Sequence, residues 1–572
     1  MELSLKKNLK LDILIFISYI FIFLLVFRFH FVGFGDFYNH AGYDTDGTLH
    51  FAWWKAFAHV NDLNPKMMSY LGYPYGYDIT YIPHSSFFYD IAIFLFQESN
   101  LNMKVLIGAF ELLTFISYPI AGLFMYKVNY LITKDKLAAF VSSFIFLFSA
   151  YMLATSHAYM SLNYIFVIPM IIFFTFKFIE ESKYIYLFVL TLSIAVSFGI
   201  NPYHTFYVSL AAFFIIVFHR VTLKQIFIFV FLTIVLLVLV NFEFISNTIY
   251  LITGSTAEKA LRVINPMNEL IPYTRVFMPA PDSFLLGSFS QHLYGNYIGL
   301  FSFFLLLISM LKMKYLSIND KKVMIIVTTV FILTIALMVQ DSLLIPLHKL
   351  YFSLFGTFRS VSRFILISSA LASIIIAIGL KYYFHNFKTV VKIIISIFII
   401  GIVFLDGWCT NGIFKIRTNM TELDEVYKVV REDKNINNVA YFPLELYSGA
   451  KAGIPPNDVY VAQMFHQKKL YNGVDPQNKK AMTEYFLNKD VYNPFLVDNL
   501  KNINIDTIFI DLRRLKQFDK SLFEKINKNK IEYFTTVKNE HKTEHMYWLN
   551  DNTLTNLPQN ILVYKILKLD KK

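Results

Sequence analysis

The chain has 572 residues, of which 56% are hydrophobic, 18% aromatic and only 16% charged, at a mean hydropathy of +0.49. A soluble core has no use for so much apolar surface, and repeated runs of roughly 20 apolar residues match the thickness of a bilayer, so a soluble enzyme is excluded. The net charge of +12 invites a nucleic-acid partner, but much of the excess sits in short loops beside apolar runs, where anionic lipid and cytoplasmic retention account for it; no nucleic-acid partner is expected.

Apolar segments predict about eleven transmembrane helices, near 11–33, 104–126, 137–154, 160–178, 184–199, 203–219, 225–244, 295–311, 323–340, 361–381 and 389–407. Lys6, Lys7 and Lys10 precede the first, Lys127, Lys134 and Lys136 follow the second, and the alternation continues through Arg220, Lys321 and Lys388, whereas the loops near 155–160 and 200–202 hold no Lys or Arg. Positive loops stay inside, so the N-terminus is expected in the cytoplasm and the C-terminal region outside. The first span is followed by large and charged side chains rather than a small-residue cleavage site, which predicts an uncleaved anchor in the plasma (inner) membrane. Cys409 is the sole cysteine, so an internal disulfide is excluded, and it has no partner at zinc spacing.

The fold expected is therefore a polytopic α-helical membrane domain over 1–408, with large outer loops at 34–103 and 245–294, followed by an extracytoplasmic soluble α/β or α+β domain over 409–572. Short apolar runs at Val439–Pro443 and Asp506–Asp511 look like its buried strands. Within the first outer loop, 46–60 and 83–97 look amphipathic enough to lie as helices along the interface.

Polar groups gather on the outer side. After the first span comes Asp36, then Asp44-Thr45-Asp46-Gly47-Thr48-Leu49-His50-Phe51-Ala52-Trp53-Trp54; His84, His157, Asn201-Pro202-Tyr203-His204, Arg359 and Arg363 follow. Carboxylates crowded at a membrane boundary suit two tasks, holding a metal-bound diphosphate or taking a proton from an acceptor. Glu111 and Glu243 are intramembrane carboxylates and candidates by default.

Asp46-Gly47-Thr48-Leu49-His50-Phe51-Ala52-Trp53-Trp54, then Asn64-Pro65 and Tyr73-Pro74-Tyr75-Gly76, resembles the first outer loop of the bacterial and archaeal branch of the GT-C glycosyltransferase superfamily that includes YfhO-like proteins. Ser156-His157 with Pro169, Pro279-Ala280-Pro281 with Tyr297-Ile298-Gly299, and Phe358-Arg359-Ser360-Val361-Ser362-Arg363-Phe364 resemble later elements of that branch, departing from it at Ser156, where Gly is usual, and at Gln291. The resemblance implies an inverting transfer of a sugar from a polyprenyl-phosphate-linked donor to an envelope glycan, glycolipid or protein acceptor, with Asp46, or Asp44, as catalytic base. The Asp44-Thr45-Asp46 spacing also resembles a DxD element that would hold Mg or Mn.

In that reaction Arg359 and Arg363 would clamp the lipid phosphate, since guanidinium matches phosphate bidentately. His84, His157 and His204 would donate to phosphate or sugar, and Trp53 would stack on a sugar ring. Each has a plainer reading. Asp46 before an apolar run is a common helix N-cap, Arg363 suits an interfacial anchor, His157 suits a helix end, and Trp53 with Trp54 suits an aromatic belt. A lipid-linked saccharide flippase or transporter, or a polysaccharide polymerase, is the competing function; a transporter is expected to show polar or broken helices near the midplane and an internal repeat, whereas the sequence shows few buried charges and no repeat.

Overall fold

The computed structural model describes residues 2–26, 37–39, 43–79, 87–149, 164–219, 221–242, 298–339, 341–355, 361–409, 417–419, 430–442, 457–472, 502–511, 532–534 and 564–568, with a few isolated residues between them. In chain order the first elements are α1 (Glu2–Val26), β1 (Phe37–Asn39), α2 (Tyr43–Val60), β2 (Met67–Met68), β3 (Tyr77–Asp78), α3 (Phe87–Glu98), α4 (Met103–Thr133), α5 (Lys136–Leu147) and α6 (Val167–Glu181). Next come α7 (Tyr184–Ile200), α8 (Pro202–Phe218), α9 (Leu223–Val240), α10 (Leu300–Leu311), α11 (Ile318–Met338), α12 (Ile345–Phe355), α13 (Phe364–His385) and α14 (Thr389–Cys409). The last are β4 (Arg417–Asn419), β5 (Asn438–Phe442), α15 (Asn457–His466), β6 (Lys469–Leu470), β7 (Thr507–Asp511), β8 (Glu532–Phe534) and β9 (Tyr564–Lys568).

A described helix overlaps each expected apolar segment. Among the described residues five helices are long and apolar enough to cross a membrane: α4, α9, α11, α14 and the helix running from Val361 to His385. With this composition the protein is an integral membrane protein. The extra helix α12 has 11 residues, too few to span a bilayer.

The chain divides into two compact units that ignore the linear boundary expected at 408. One holds 1–32, 112–245 and 262–414; the other holds 33–111, 246–261 and 415–572. The segment read as a first outer loop thus shares a unit with the C-terminal part of the chain.

In the helical unit α13 is central, and every residue from Phe364 to Leu380 is buried. Between apolar helices there is little hydrophobic drive, so small residues and hydrogen bonds fix the packing. Asn129 Nδ2 donates to Ser142 Oγ at 2.8 Å and Ser373 Oγ at 2.9 Å, Ser373 Oγ donates to the Ser142 carbonyl at 2.7 Å, and Thr334 and Ser368 hydroxyls meet at 2.8 Å. At the C-terminal end of α13, Asp320 accepts from Lys381 Nζ at 2.7 Å and from the Tyr382 hydroxyl at 2.6 Å. Asp406 on α14 accepts from the Phe301 amide at 3.0 Å, capping the start of α10. The preceding Gly299 has φ +112°, and a Cβ there would stand 3.0 Å from the Asp406 carboxylate. The Tyr297-Ile298-Gly299 motif thus has a local steric reason for its glycine.

In the second unit five strands form one mixed sheet in the order β6-β5-β7-β9-β8. Strands β6, β5 and β7 are parallel, and β9 runs antiparallel to both β7 and β8. The expected strands near 439–443 and 506–511 are β5 and β7. Two further pairings bring in the early segment. Strand β1 pairs antiparallel with β4. Residues 70–73 run along β6: Leu470 N donates to Tyr70 O at 2.7 Å, Tyr73 N to Leu470 O at 2.9 Å and Gly72 N to Asn472 O at 3.2 Å. The Tyr73-Pro74-Tyr75-Gly76 motif begins on that added edge.

Gly379 on α13 meets α10 so closely that a Cβ would stand 2.3 Å from Ser309 Oγ and 2.8 Å from Ser309 Cα. Gly379→Ala gains about 1 kcal/mol of helix propensity but overpacks the contact at about 1–3 kcal/mol. The clash is expected to win because one blocking atom is backbone. Thermal unfolding in detergent should show a lower midpoint for Gly379→Ala, with partial recovery on adding Ser309→Gly.

Candidate functional site

Two groups of polar and aromatic side chains stand out, one in each unit. In the helical unit the group is built on the start of α8. Asn201 caps this helix, its Oδ1 accepting from the His204 amide at 3.0 Å, and Pro202 occupies the first turn, where its missing N–H costs nothing. The cap fixes Tyr203 and His204 at the helix mouth. A 3-10 turn, Val361–Arg363, leads into α13 and sets the Arg363 guanidinium carbon 4.4 Å from the Tyr203 ring centroid. Such a cation over an aromatic face contributes about 0.5–2 kcal/mol.

His204 is fully buried, and neither ring nitrogen has a hydrogen-bond partner among the described residues. Tyr207, one turn further on, is hydrogen-bonded to Tyr351 of α12 and packs on Phe364 at 4.3 Å between centroids. One arginine, one imidazole and three phenols thus converge at the start of α8 and α13. Arg363 lies at the opposite end of α13 from Lys381 and Asp320. A cationic donor with neutral donors around it suits an anion such as a phosphate.

In the second unit the group is built on α2. The helix begins at Tyr43, so Asp44 and Asp46 lie in its first turn, where negative charge suits the helix dipole. The N-cap reading of Asp46 shifts accordingly, because the helix starts before it. Positions two apart on a helix do not share a face. Among the described residues no group of three or more His, Cys, Asp or Glu could hold a metal. The side chains of Asp44 and Asp46 lie outside the described residues, as do Asp36, His84, His157, Glu243 and Arg359 entirely.

Further along α2, His50 Nε2 meets Gln463 Oε1 of α15 at 2.7 Å. Gln463 Nε2 donates to Tyr70 O at 2.6 Å and Lys468 O at 3.1 Å, which leaves its oxygen as acceptor and assigns the proton to His50 Nε2. His466 Nδ1 accepts from the Lys468 amide at 3.0 Å, and its ring stacks on Tyr441. Burial drives both histidines toward the neutral form, His50 down to about 4 against the Gln463 hydrogen bond, and His466 down to about 3.

Trp53 does not stand in an aromatic belt. It is 0% exposed, stacked on His50 at 5.4 Å and on Phe57 at 4.9 Å. With its ring faces on protein, it has no surface for a sugar. Trp54 is equally buried, beside Phe57 and Tyr70. Sequence reading also missed Gln463, Tyr351 and Asp406. An Asp near the end of an apolar run was a signal for the last; the other two carried none.

No family model matches the sequence, and no curated relative does either. Solved structures do match the fold. The chain is similar to the arabinofuranosyltransferase AftD from Mycobacteria at TM-score 0.56 and 12% identity, over 97% of this chain but only 40% of AftD. It is similar to the oligosaccharyltransferase AglB from Archaeoglobus fulgidus, solved with an inhibitory peptide and a dolichol-phosphate, at TM-score 0.52 and 11% identity, over 96% of this chain and 75% of that one. ArnT from Cupriavidus metallidurans, bound to undecaprenyl phosphate, matches at TM-score 0.51 and 8% identity over 97% of both chains. The chain thus shares the fold of these three solved structures, in keeping with the membrane fold that the sequence motifs led one to expect.

The buried histidines set a pH dependence. Unfolded, each binds a proton below its ordinary value of 6.5; folded, they resist protonation until about 4 and about 3. Their stabilising contribution is complete above pH 6.5 and is lost as pH falls toward 4, by up to about 1.4 kcal/mol per pH unit for each histidine. Limited proteolysis of the full-length protein should therefore cut the 43–76 segment faster at pH 5 than at pH 7.5. Equal rates at the two values would contradict it.

Proposed function

We propose that the protein is a GT-C glycosyltransferase that moves a sugar from a polyprenyl-phosphate-linked donor to a glycan, glycolipid or protein acceptor of the cell envelope, at the outer face of the plasma membrane. The observation that carries this reading is the Arg363–Tyr203 pair beside buried His204, unpartnered among the described residues, in a fold shared with proteins solved with dolichol-phosphate and undecaprenyl phosphate.

The acceptor hydroxyl oxygen attacks the anomeric carbon while the bond from that carbon to the lipid phosphate oxygen breaks, inverting the centre. The hydroxyl proton passes to a carboxylate of the first turn of α2, Asp46 in the first instance and Asp44 in the second. The lipid phosphate leaves with the bonding electron pair, and its growing charge is met by Arg363, with Arg359 beside it in sequence and His204 as a further donor. His84 and His157 are proposed contacts to donor or acceptor. Mg or Mn would supply Lewis acidity to the leaving phosphate. The proton transfer itself needs only one carboxylate.

Deletion of the protein should remove one sugar from an envelope glycan or glycolipid, read by mass spectrometry against the parent strain. At wild-type membrane levels, Asp46→Asn is expected to lower that product about 10²–10⁴-fold. Arg363→Lys keeps charge but loses the planar, bidentate fork, and a drop of about ten-fold or more is expected. Full product from both variants would sink the assignment.

A further inference from the structure

Apolar contacts bury a helix without fixing its rotation, because the hydrophobic effect has no direction. Helix α2 is buried through Trp53, Trp54 and Phe57. A directional tie to the C-terminal part of the chain is the 2.7 Å bond from His50 Nε2 to Gln463 Oε1. Asp46 lies four residues, about one turn, before His50 on the same helix. A slip of α2 by one residue, about 1.5 Å along its axis, would break that bond and strand a buried N–H.

Gln463 is suited to hold and unsuited to react. It is 0% exposed, both its amide hydrogens are taken by Tyr70 O and Lys468 O, and its oxygen faces His50. Tyr70 O also accepts from Leu470 N, so it keeps a donor when Gln463 is lost. His50 Nε2 is the atom that such a loss orphans.

We infer that Gln463 is a positioning residue: through His50 it fixes the rotation and register of the helix that carries Asp46, so that the C-terminal part of the chain serves the reaction by aiming a carboxylate it does not contain. The catalytic consequence rests on the role proposed for Asp46; the holding of the helix does not.

Hydrogen–deuterium exchange on the full-length protein in nanodiscs tests this. In Gln463→Leu, exchange over 43–60 should rise about ten-fold, the effect of an orphaned buried donor, while β5 and β7 keep wild-type protection. Adding His50→Leu removes the orphan, since paired apolar replacement is nearly neutral, and should return protection to 43–60. Envelope product should fall in the single variant and recover in the double, at equal membrane levels. Unchanged exchange over 43–60, a uniform rise that includes β5 and β7, or a double variant no better than the single would each overturn the inference. If Asp46→Asn keeps full product while the exchange pattern holds, the glycosyltransferase reading fails and the holding role stands. If Asp46→Asn loses product and Gln463→Leu alters nothing, the inference alone fails.

Discussion

Edge pairing between residues 70–73 and the strand β6 is the constraint on which the second unit depends. Backbone donors and acceptors cannot be left unpaired where they are buried, so this short stretch ties an early segment to a sheet made almost wholly from late residues. Once it is in place, α2 lies against α15, and Trp53 and Trp54 leave solvent. The polar contacts then select one arrangement from the many that would bury the same surface. Asn472 shows the same economy of means: its side chain accepts from Tyr441 N at 2.7 Å and donates to Tyr441 O at 2.9 Å, while its own carbonyl receives the Gly72 amide.

The helical unit is organised differently. There, α13 serves as the axis, and small and hydroxyl-bearing side chains along it allow close approach. Charge is confined to its ends. One end pairs Lys381 with Asp320, a closed ion pair that serves structure; at the other, Arg363 rests on an aromatic face beside His204, whose ring nitrogens have no hydrogen-bond partner among the described residues. Two cations on one helix thus have different surroundings, a carboxylate for Lys381 and an aromatic face for Arg363.

Helix positions were legible because twenty-odd apolar residues leave a signal that depends on no other part of the chain. Asn201-Pro202 likewise announced the start of α8, and Arg363 could be picked out as a charge at the start of an apolar run. Trp53 was not legible. An aromatic pair just after a first span reads as a belt, and only a partner some 400 residues away, at a separation of 413 for the His50–Gln463 bond, reverses that reading. Gln463 itself sits in Tyr460-Val461-Ala462-Gln463-Met464-Phe465, where a lone amide carries no hint of what it touches. Asp406 could have been found, since a carboxylate near an apolar span calls for a partner; the same rule drew attention to Glu111 and Glu243 instead.

The pairing of β1 with β4 has a temporal side. Phe37–Asn39 follows the first helix and Arg417–Asn419 follows the last long one, so two short strands join segments at the opposite ends of everything between them. A ribosome releases the first of these strands hundreds of residues before its mate. Throughout that interval β1 lacks the strand it pairs with, and non-local closure of this kind is slow. A chain that ended between α14 and β4 would have its described helices through α14 made and β1 left without its strand. Synthesis of β4, and of Gln463 and β6 after it, is thereby a condition for the early segment to gain its late partners.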